Sequence, residues 1–308
     1  MPLRAVVSIL LAMLFFAIQD ALFKKLTNDY SVIQLLTLRM LLVVLTLFVV
    51  YLIRRNALTL RTIHWPIMCV RGAMAFGAFT LYYLALQKIP LADGATVLMS
   101  APLFVTAFSV PLLKERVGPH RWVAVCIGFL AVLVMLKPGA GLFQPIMILP
   151  LISAVLYSLI PITTRTIHSS ESTFTITFYT TVPYLILCIA TAIALYFNPA
   201  TASSSQFYTS LSQPWTAITA SALLLLATTA ALFCVSVLLI TSAYRQAQAS
   251  ALAPFEYFYL VWAILVGYLM FGDVPAVITC TAAAVVASCG IYITWREQQN
   301  KALNDAAL

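Results

Sequence analysis

Apolar runs of about twenty residues follow one another along the chain from Arg4 to Trp295, with short polar breaks between them. Twenty helical residues rise about 30 Å, the thickness of a bilayer's hydrocarbon core. In lipid every backbone N–H and C=O needs an internal partner, so each run is expected to be helical. A transmembrane barrel would show segments of roughly ten residues alternating apolar and polar, and that alternation is absent. Composition agrees: 63% of the 308 residues are hydrophobic, 8% are charged and the mean hydropathy is +1.01. Soluble domains carry roughly 25% charged residues. A surface this poor in polar groups calls for lipid as its solvent.

The polar punctuation predicts ten spans, at residues 4–23, 31–53, 64–87, 92–113, 120–136, 142–163, 173–196, 215–241, 250–271 and 275–295. Most connections are short enough to make neighbouring helices antiparallel. The exception, 198–214, is rich in Ser and Thr and reads as a solvent loop, and 297–308 reads as a polar tail. Arg4 and the run behind it resemble a signal peptide, but no small-residue cleavage site follows and the run reaches Phe23, so a retained first span is expected. The net charge of +8 is dispersed through short loops, which argues against a nucleic-acid partner and for topology signals. Twelve cations, among them Arg54, Arg55, Arg61, Lys114, Arg116 and Arg245, fall on the side of the N-terminus; only Lys24, Lys25, Lys88 and Lys137 fall opposite. Both termini are therefore predicted to be cytoplasmic, in an inner-membrane, multi-pass, all-α protein.

The two halves, 1–138 and 139–296, resemble one another. Residues 82–115 align with 240–273 without gaps, pairing Ala85 with Ala243, Ala95 with Ala253 and Glu115 with Asp273. Earlier, Lys25 aligns with Arg165 and Leu38 with Phe178. Five spans per half is an odd number, so the second half enters the membrane from the opposite side. Many secondary transporters alternate access around a midplane site with such inverted repeats.

The acid closing the fourth span in KER (114–116), its counterpart FGD (271–273), the Leu38–Arg39 pair and the Arg71–Gly72 pair together resemble the EamA-type branch of the drug/metabolite transporter superfamily. The stretch APFEYFYLVW (253–262) is similar to members that take up S-adenosylmethionine or riboflavin. The resemblance implies a ten-helix fold and secondary active transport of a small organic metabolite by exchange or proton coupling. Other members suggest export of amino acids or toxic cations, or flipping of lipid carriers. One departure is that Pro102 aligns with Leu260, while Pro254 lies six residues earlier.

Charges inside spans narrow the site, because each costs roughly 2.5–3.5 kcal/mol at the bilayer centre and is kept where it faces a cavity or a partner. Arg39 lies about 12 Å into the second span. Arg71 and Glu256 lie about two turns from the predicted cytoplasmic ends of spans three and nine, and Asp20 lies nearer the opposite end. Arg71, Ala75, Ala78, Tyr82 and Ala85 share one helix face; Ala249, Ala253, Glu256, Ala263 and Gly267 share another. Tyr82, Tyr83, Tyr257, Tyr259 and Trp262 could stack on a flat or cationic substrate beside Glu256 and Arg39. Glu256 could neutralise a cation or, with Asp20, carry a coupling proton. Blander readings stand beside these. Arg71 could snorkel to the surface, Arg39 could pair with an acid or cap carbonyls, Asp20 could form a solvated i,i+4 pair with Lys24, and half the rings could be packing.

No Ser/His/Asp set, H-E-x-x-H, phosphate loop or paired intramembrane aspartates is present, so no enzyme is expected. His64, His120 and His168 sit at span ends. The six cysteines (Cys69, Cys126, Cys188, Cys234, Cys280, Cys289) lie in apolar runs without paired metal spacing and are expected to pack as small hydrophobes. No cofactor or metal is implied, and a monomer or homodimer is expected.

Overall fold

The computed structural model describes residues 3–54, 62–113, 119–136, 145–167, 171–198, 206–246 and 255–306. The protein is all-α and polytopic: 87% helical, with no strand among the described residues. The helices are α1 (Leu3–Leu26), α2 (Val32–Ile53), α3 (Trp65–Leu86), α4 (Leu91–Leu98), α5 (Ala101–Leu113), α6 (Pro119–Leu136), α7 (Ile148–Ile167, after a 3-10 turn at Pro145–Met147), α8 (Thr173–Phe197), α9 (Gln206–Leu211), α10 (Ala220–Gln246), α11 (Phe258–Phe271) and α12 (Val277–Ala306).

Among the described residues seven helical stretches are long and apolar enough to cross a membrane, the fourth running from Leu91 to Leu112. Three shorter apolar helices, Trp122–Val134, Phe258–Phe271 and Val277–Cys289, fall at the remaining predicted spans. The stretch 297–306 is not a separate element, because α12 continues through it to Ala306. The 198–214 segment contains the short α9, and its residues 199–205 lie outside the described residues. The stretch just after it is fastened to the bundle: Gln34 Nε2 donates to the Thr216 carbonyl (2.6 Å) and Gln34 Oε1 accepts from Thr216 N (3.2 Å).

Polarity is arranged for lipid. Leu45, Phe48, Val49 and Leu52 on α2, Leu223 and Leu224 on α10, and Val261, Leu265 and Leu269 on α11 all face outward. Apolar surface of that extent requires a bilayer or partner over it. Gln19, Asp20, Arg39, Arg71 and Glu256 are buried instead, together with a large set of threonines.

The helices pack in pairs. α1 lies along α10 and α3 along α7; α3 packs on α8 and α10 on α2; α1 meets α11 and α7 meets α5; α2 meets α8 and α6 meets α12. Exchanging the two halves in order (α1 for α7, α2 for α8, α3 for α10, α5 for α11, α6 for α12) turns six of these pairs into other members of the set and leaves α2–α8 and α6–α12 as they are.

Two spans are interrupted. In the fourth, α4 ends at Leu98 and α5 begins at Ala101, with Met99 and Ser100 between them. In the ninth, Phe255 and Glu256 are helical, Tyr257 forms a turn and α11 begins at Phe258. Met99 and Tyr257 are the residues that the 82–115/240–273 alignment superposes. Pro102 occupies the second position of α5, where its missing N–H goes unneeded. Pro254 lies outside the described residues, as do Ala249, Ala253 and the KER motif.

Gly72 sets the approach of α3 to α8. A Cβ there would stand 2.7 Å from the Thr180 carbonyl oxygen and 2.8 Å from Pro183 Cβ, both parts of a rigid backbone or ring. At Gly77 the sole tight neighbour is Leu156 Cδ1 at 2.8 Å, the end of a flexible side chain. Gly72→Ala is expected to cost about 1–3 kcal/mol by overpacking. Gly77→Ala is expected to be near neutral, since helix propensity returns up to about 1 kcal/mol. Thermal unfolding of the two purified variants checks this ranking, and equal melting points would contradict it.

Candidate functional site

The described residues line two cavities inside the bundle. The larger holds about 730 Å³ of atom-free space, counting its open mouth; the smaller holds about 420 Å³. Phe16 of α1, Phe79 of α3 and Tyr157 of α7 line both, and so stand between them.

The smaller cavity is built around Asp20. Tyr83 Oη donates to Asp20 Oδ1 and Tyr259 Oη to Asp20 Oδ2, each at 2.6 Å. Gln19 Nε2 also donates to Asp20. Tyr259 spends its proton on the carboxylate, so Tyr82 is the donor in the 2.8 Å Tyr82–Tyr259 bond. Asp20, Tyr82 and Tyr259 line the cavity beside Leu98 and Met99 at the interruption of the fourth span. The i,i+4 pair of Asp20 with Lys24 does not form. Asp20 is 3% exposed, and Lys24 turns to the α3–α4 connection and the end of α11. There Lys24 Nζ donates to the Ile89 carbonyl (2.8 Å), lies 5.0 Å from the Phe271 ring centroid and pairs with Asp273 Oδ2 (3.6 Å). The FGD motif therefore has a structural job for each residue. Phe271 lies under the ammonium, Gly272 caps α11 at φ +69°, a conformation open to glycine, and Asp273 supplies the counter-charge.

Arg39 stands behind this cluster, fully buried. Its Nη1 donates to Tyr83 Oη (2.9 Å) and Gln19 Oε1 (3.1 Å), while Nε and Nη2 make no hydrogen bond. Aromatic faces take their place. The guanidinium carbon lies 4.6 Å from the Phe23 ring centroid, 4.7 Å from that of Phe233, 5.0 Å from Tyr83 and 5.9 Å from Phe79. Ring quadrupoles of this kind attract a desolvated cation by about 2 kcal/mol or more in favourable cases. Arg39 neither pairs directly with an acid nor caps a carbonyl. Gln19 and Tyr83 bridge it to Asp20, and it lines neither cavity.

The larger cavity holds Arg71 and Glu256. Arg71 is 4% exposed, so it does not snorkel. Gly72, one residue on, brings α3 against α8, and Arg71 Nε donates to Thr180 Oγ1 (3.2 Å). Arg71 Nη1 donates to the Ile160 carbonyl (2.6 Å), Thr163 Oγ1 (3.1 Å) and Thr164 Oγ1. Glu256 is 5% exposed, beside the interruption of the ninth span, and accepts a hydrogen bond from Tyr244. Among the described residues no cation pairs with Glu256 and no acid pairs with Arg71. Phe16, Phe79, Tyr157, Tyr184 and Phe233 supply aromatic walls.

The structure thus brings Asp20, Tyr82, Tyr83, Tyr259 and Arg39 into one connected network and sets Glu256 in the neighbouring cavity. Tyr257 and Trp262 line neither cavity; the Tyr257 hydroxyl and Trp262 Nε1 are buried without a hydrogen bond. Sequence reasoning missed the threonines. Thr177, Thr180 and Thr181 occur at helical spacing inside an apolar span and line the larger cavity, a signal that could have been read. The phenylalanine cage of Arg39 carried no such signal, since its rings come from α1, α3 and α10. Of the cysteines, Cys188, Cys234 and Cys289 are buried, whereas Cys69, Cys126 and Cys280 lie on the outer surface.

Comparison with known proteins agrees with the fold. Residues 3–137 match the EamA-like transporter family. The chain is 24% identical over 257 residues to an S-adenosylmethionine uptake transporter of Rickettsia bellii, covering 83% of this chain and 81% of the relative. It is 27% identical over 305 residues to a riboflavin transporter of Vibrio cholerae, covering 97% and 96%. It is also 26% identical over 186 residues to a pseudopaline exporter of Pseudomonas aeruginosa, covering 60% and 63%. A solved crystal structure, 18% identical, shares the fold with a TM-score of 0.65 over 96% of this chain and 98% of that one.

Proposed function

We propose that this chain, which carries an EamA-like transporter domain over residues 3–137, is a secondary active transporter moving a small organic metabolite across the inner membrane by alternating access. The observation that carries the reading is the larger cavity. It is a space of about 730 Å³, counting its open mouth, with Arg71 and Glu256 kept in its wall and neither in a salt bridge among the described residues. Charges kept in a membrane interior at such cost mark a transport pathway. The names of the relatives, two of uptake or vitamin transport and one of export, support a metabolite as cargo. S-adenosylmethionine-like or riboflavin-like compounds are the first to test.

Two inverted halves supply the moving parts. This reading is supported by the packing pairs that interchange when the halves are exchanged and by the interruptions at the aligned Met99 and Tyr257. Discontinuous helices at corresponding places of two repeats are a frequent way of building a midplane site. Asp20 and Glu256 are the groups assigned to proton coupling, one in each cavity. Rocking one half against the other would open the cavities alternately, with Phe16, Phe79 and Tyr157 at the divide.

Purified protein in liposomes, energised by a pH gradient and supplied with radiolabelled candidates, tests the function. Saturable, gradient-dependent accumulation is expected, and its direction separates uptake from export. Indifference to every compound and gradient would remove the transporter reading. Orientation has its own check. With the surface cysteines replaced, Gln213→Cys is expected to react with a membrane-impermeant maleimide added outside intact cells. Labelling solely after the membrane is opened would invert the topology.

A further inference from the structure

The larger cavity presents two buried, opposite charges that do not meet each other and that no charged group matches among the described residues. Arg71 is held by neutral oxygens alone: one carbonyl and three threonine hydroxyls. Those bonds engage Nε and Nη1, and Nη2 donates to nothing among the described residues. Glu256 accepts from Tyr244 through Oε1, and no described donor reaches Oε2. The two residues line one cavity and yet form no ion pair. A buried charge without a counter-charge is costly, and closing the pair would need a bridging group that is negative at one end and positive at the other.

We infer that the larger cavity selects a zwitterionic ligand, its anionic group held on Arg71 and its cationic group on Glu256, with an aromatic or apolar remainder against Phe79, Tyr157 and Phe233. This rests on the transporter reading and narrows its cargo. A molecule with an α-amino-acid end and a flat ring fits; a flat ring without charge, such as a flavin, leaves both charges unmatched. Arg71 becomes a recognition residue, because its fork can offer Nη2 to a carboxylate while Nε and Nη1 stay anchored in the fold. Glu256 then contributes in the same way to a primary ammonium or another cation.

The test compares binding of four compounds to the purified full-length protein by calorimetry. They are S-adenosylhomocysteine (a zwitterion with an uncharged thioether), its decarboxylated amine, methylthioadenosine (the same ring without the amino-acid end) and riboflavin. The wild type is expected to bind the zwitterion at least about 150-fold more tightly than methylthioadenosine, in line with charge-assisted hydrogen bonds at each end. Arg71→Gln is expected to bring the zwitterion down to the level of the decarboxylated amine, and Glu256→Gln to remove the preference for the amine over methylthioadenosine. Arg71→Lys, which keeps the charge, is expected to retain part of the preference and serves if Arg71→Gln does not fold. Equal wild-type binding of zwitterion and methylthioadenosine, an unchanged preference in Arg71→Gln, or no binding by any of the four would overturn the assignment. Liposome flux measured in parallel separates the two claims. Riboflavin flux with charge-independent binding overturns the zwitterion and leaves transport standing. Charge-selective binding with no flux of any solute supports the zwitterion and overturns transport.

Discussion

Replacing Glu256 with Gln is expected to lower flux by roughly 30-fold or more while leaving the protein as stable as before, or more stable. The two effects have one cause. Glu256 is buried beside a cavity, and among the described residues it has Tyr244 as a hydrogen-bond donor and no cation. A charge of this kind is a burden on the fold, and neutralising it with an isosteric amide relieves desolvation without orphaning a partner. Its value is realised when ligand or proton arrives, and that value is lost in the amide. Flux in liposomes and melting temperature, measured on the same preparation, check the pair of expectations. A variant with full flux would take Glu256 out of the site. One with a melting temperature lowered by several degrees would show that the carboxylate holds the fold together.

Arg39→Ala is expected to fail the other way round, through stability first. The guanidinium fills a cage formed by Phe23, Phe79, Tyr83 and Phe233, and it donates to Gln19 and Tyr83. Removing it empties the cage, strips Gln19 Oε1 of its donor and leaves Asp20 without a cation nearby. Breaking a buried charged cluster at one member costs about 3–5 kcal/mol. The double variant Arg39→Met with Asp20→Asn fills the cage and removes both charges, so it is expected to recover much of the lost stability. Unfolding of the single and double variants decides the matter. If the double variant is no more stable than Arg39→Ala, neither the emptied cage nor the unpaired charge accounts for the loss.

The helical architecture was legible because apolar length and polar punctuation are local properties of a chain in lipid. The interruptions were not. Neither Ser100 nor Tyr257 is a helix breaker, and the nearby prolines, Pro102 and Pro254, stand on opposite sides of the two aligned breaks. That offset, read from sequence as an inequivalence of the halves, is compatible with interruptions at matching residues. The buried charges of the candidate site were legible as charges, since Arg39, Arg71, Glu256 and Asp20 stand out against so apolar a background. Their partners were not, because partners come from other helices. Lys24 lies one turn from Asp20 but is drawn to Asp273 and the Ile89 carbonyl. Arg71 stays inside because α7 and α8 offer hydroxyls closer than the surface. Tyr257 and Trp262 show the limit of reading rings by proximity to a charge: a residue adjacent to Glu256 in sequence points along a different helix face.

Phe16, Phe79 and Tyr157 belong to three separate helices, α1, α3 and α7. A partition shared among three helices ties its shape to the way those helices pack on one another. Under the proposed alternating access, a solute passes when those three helices shift together.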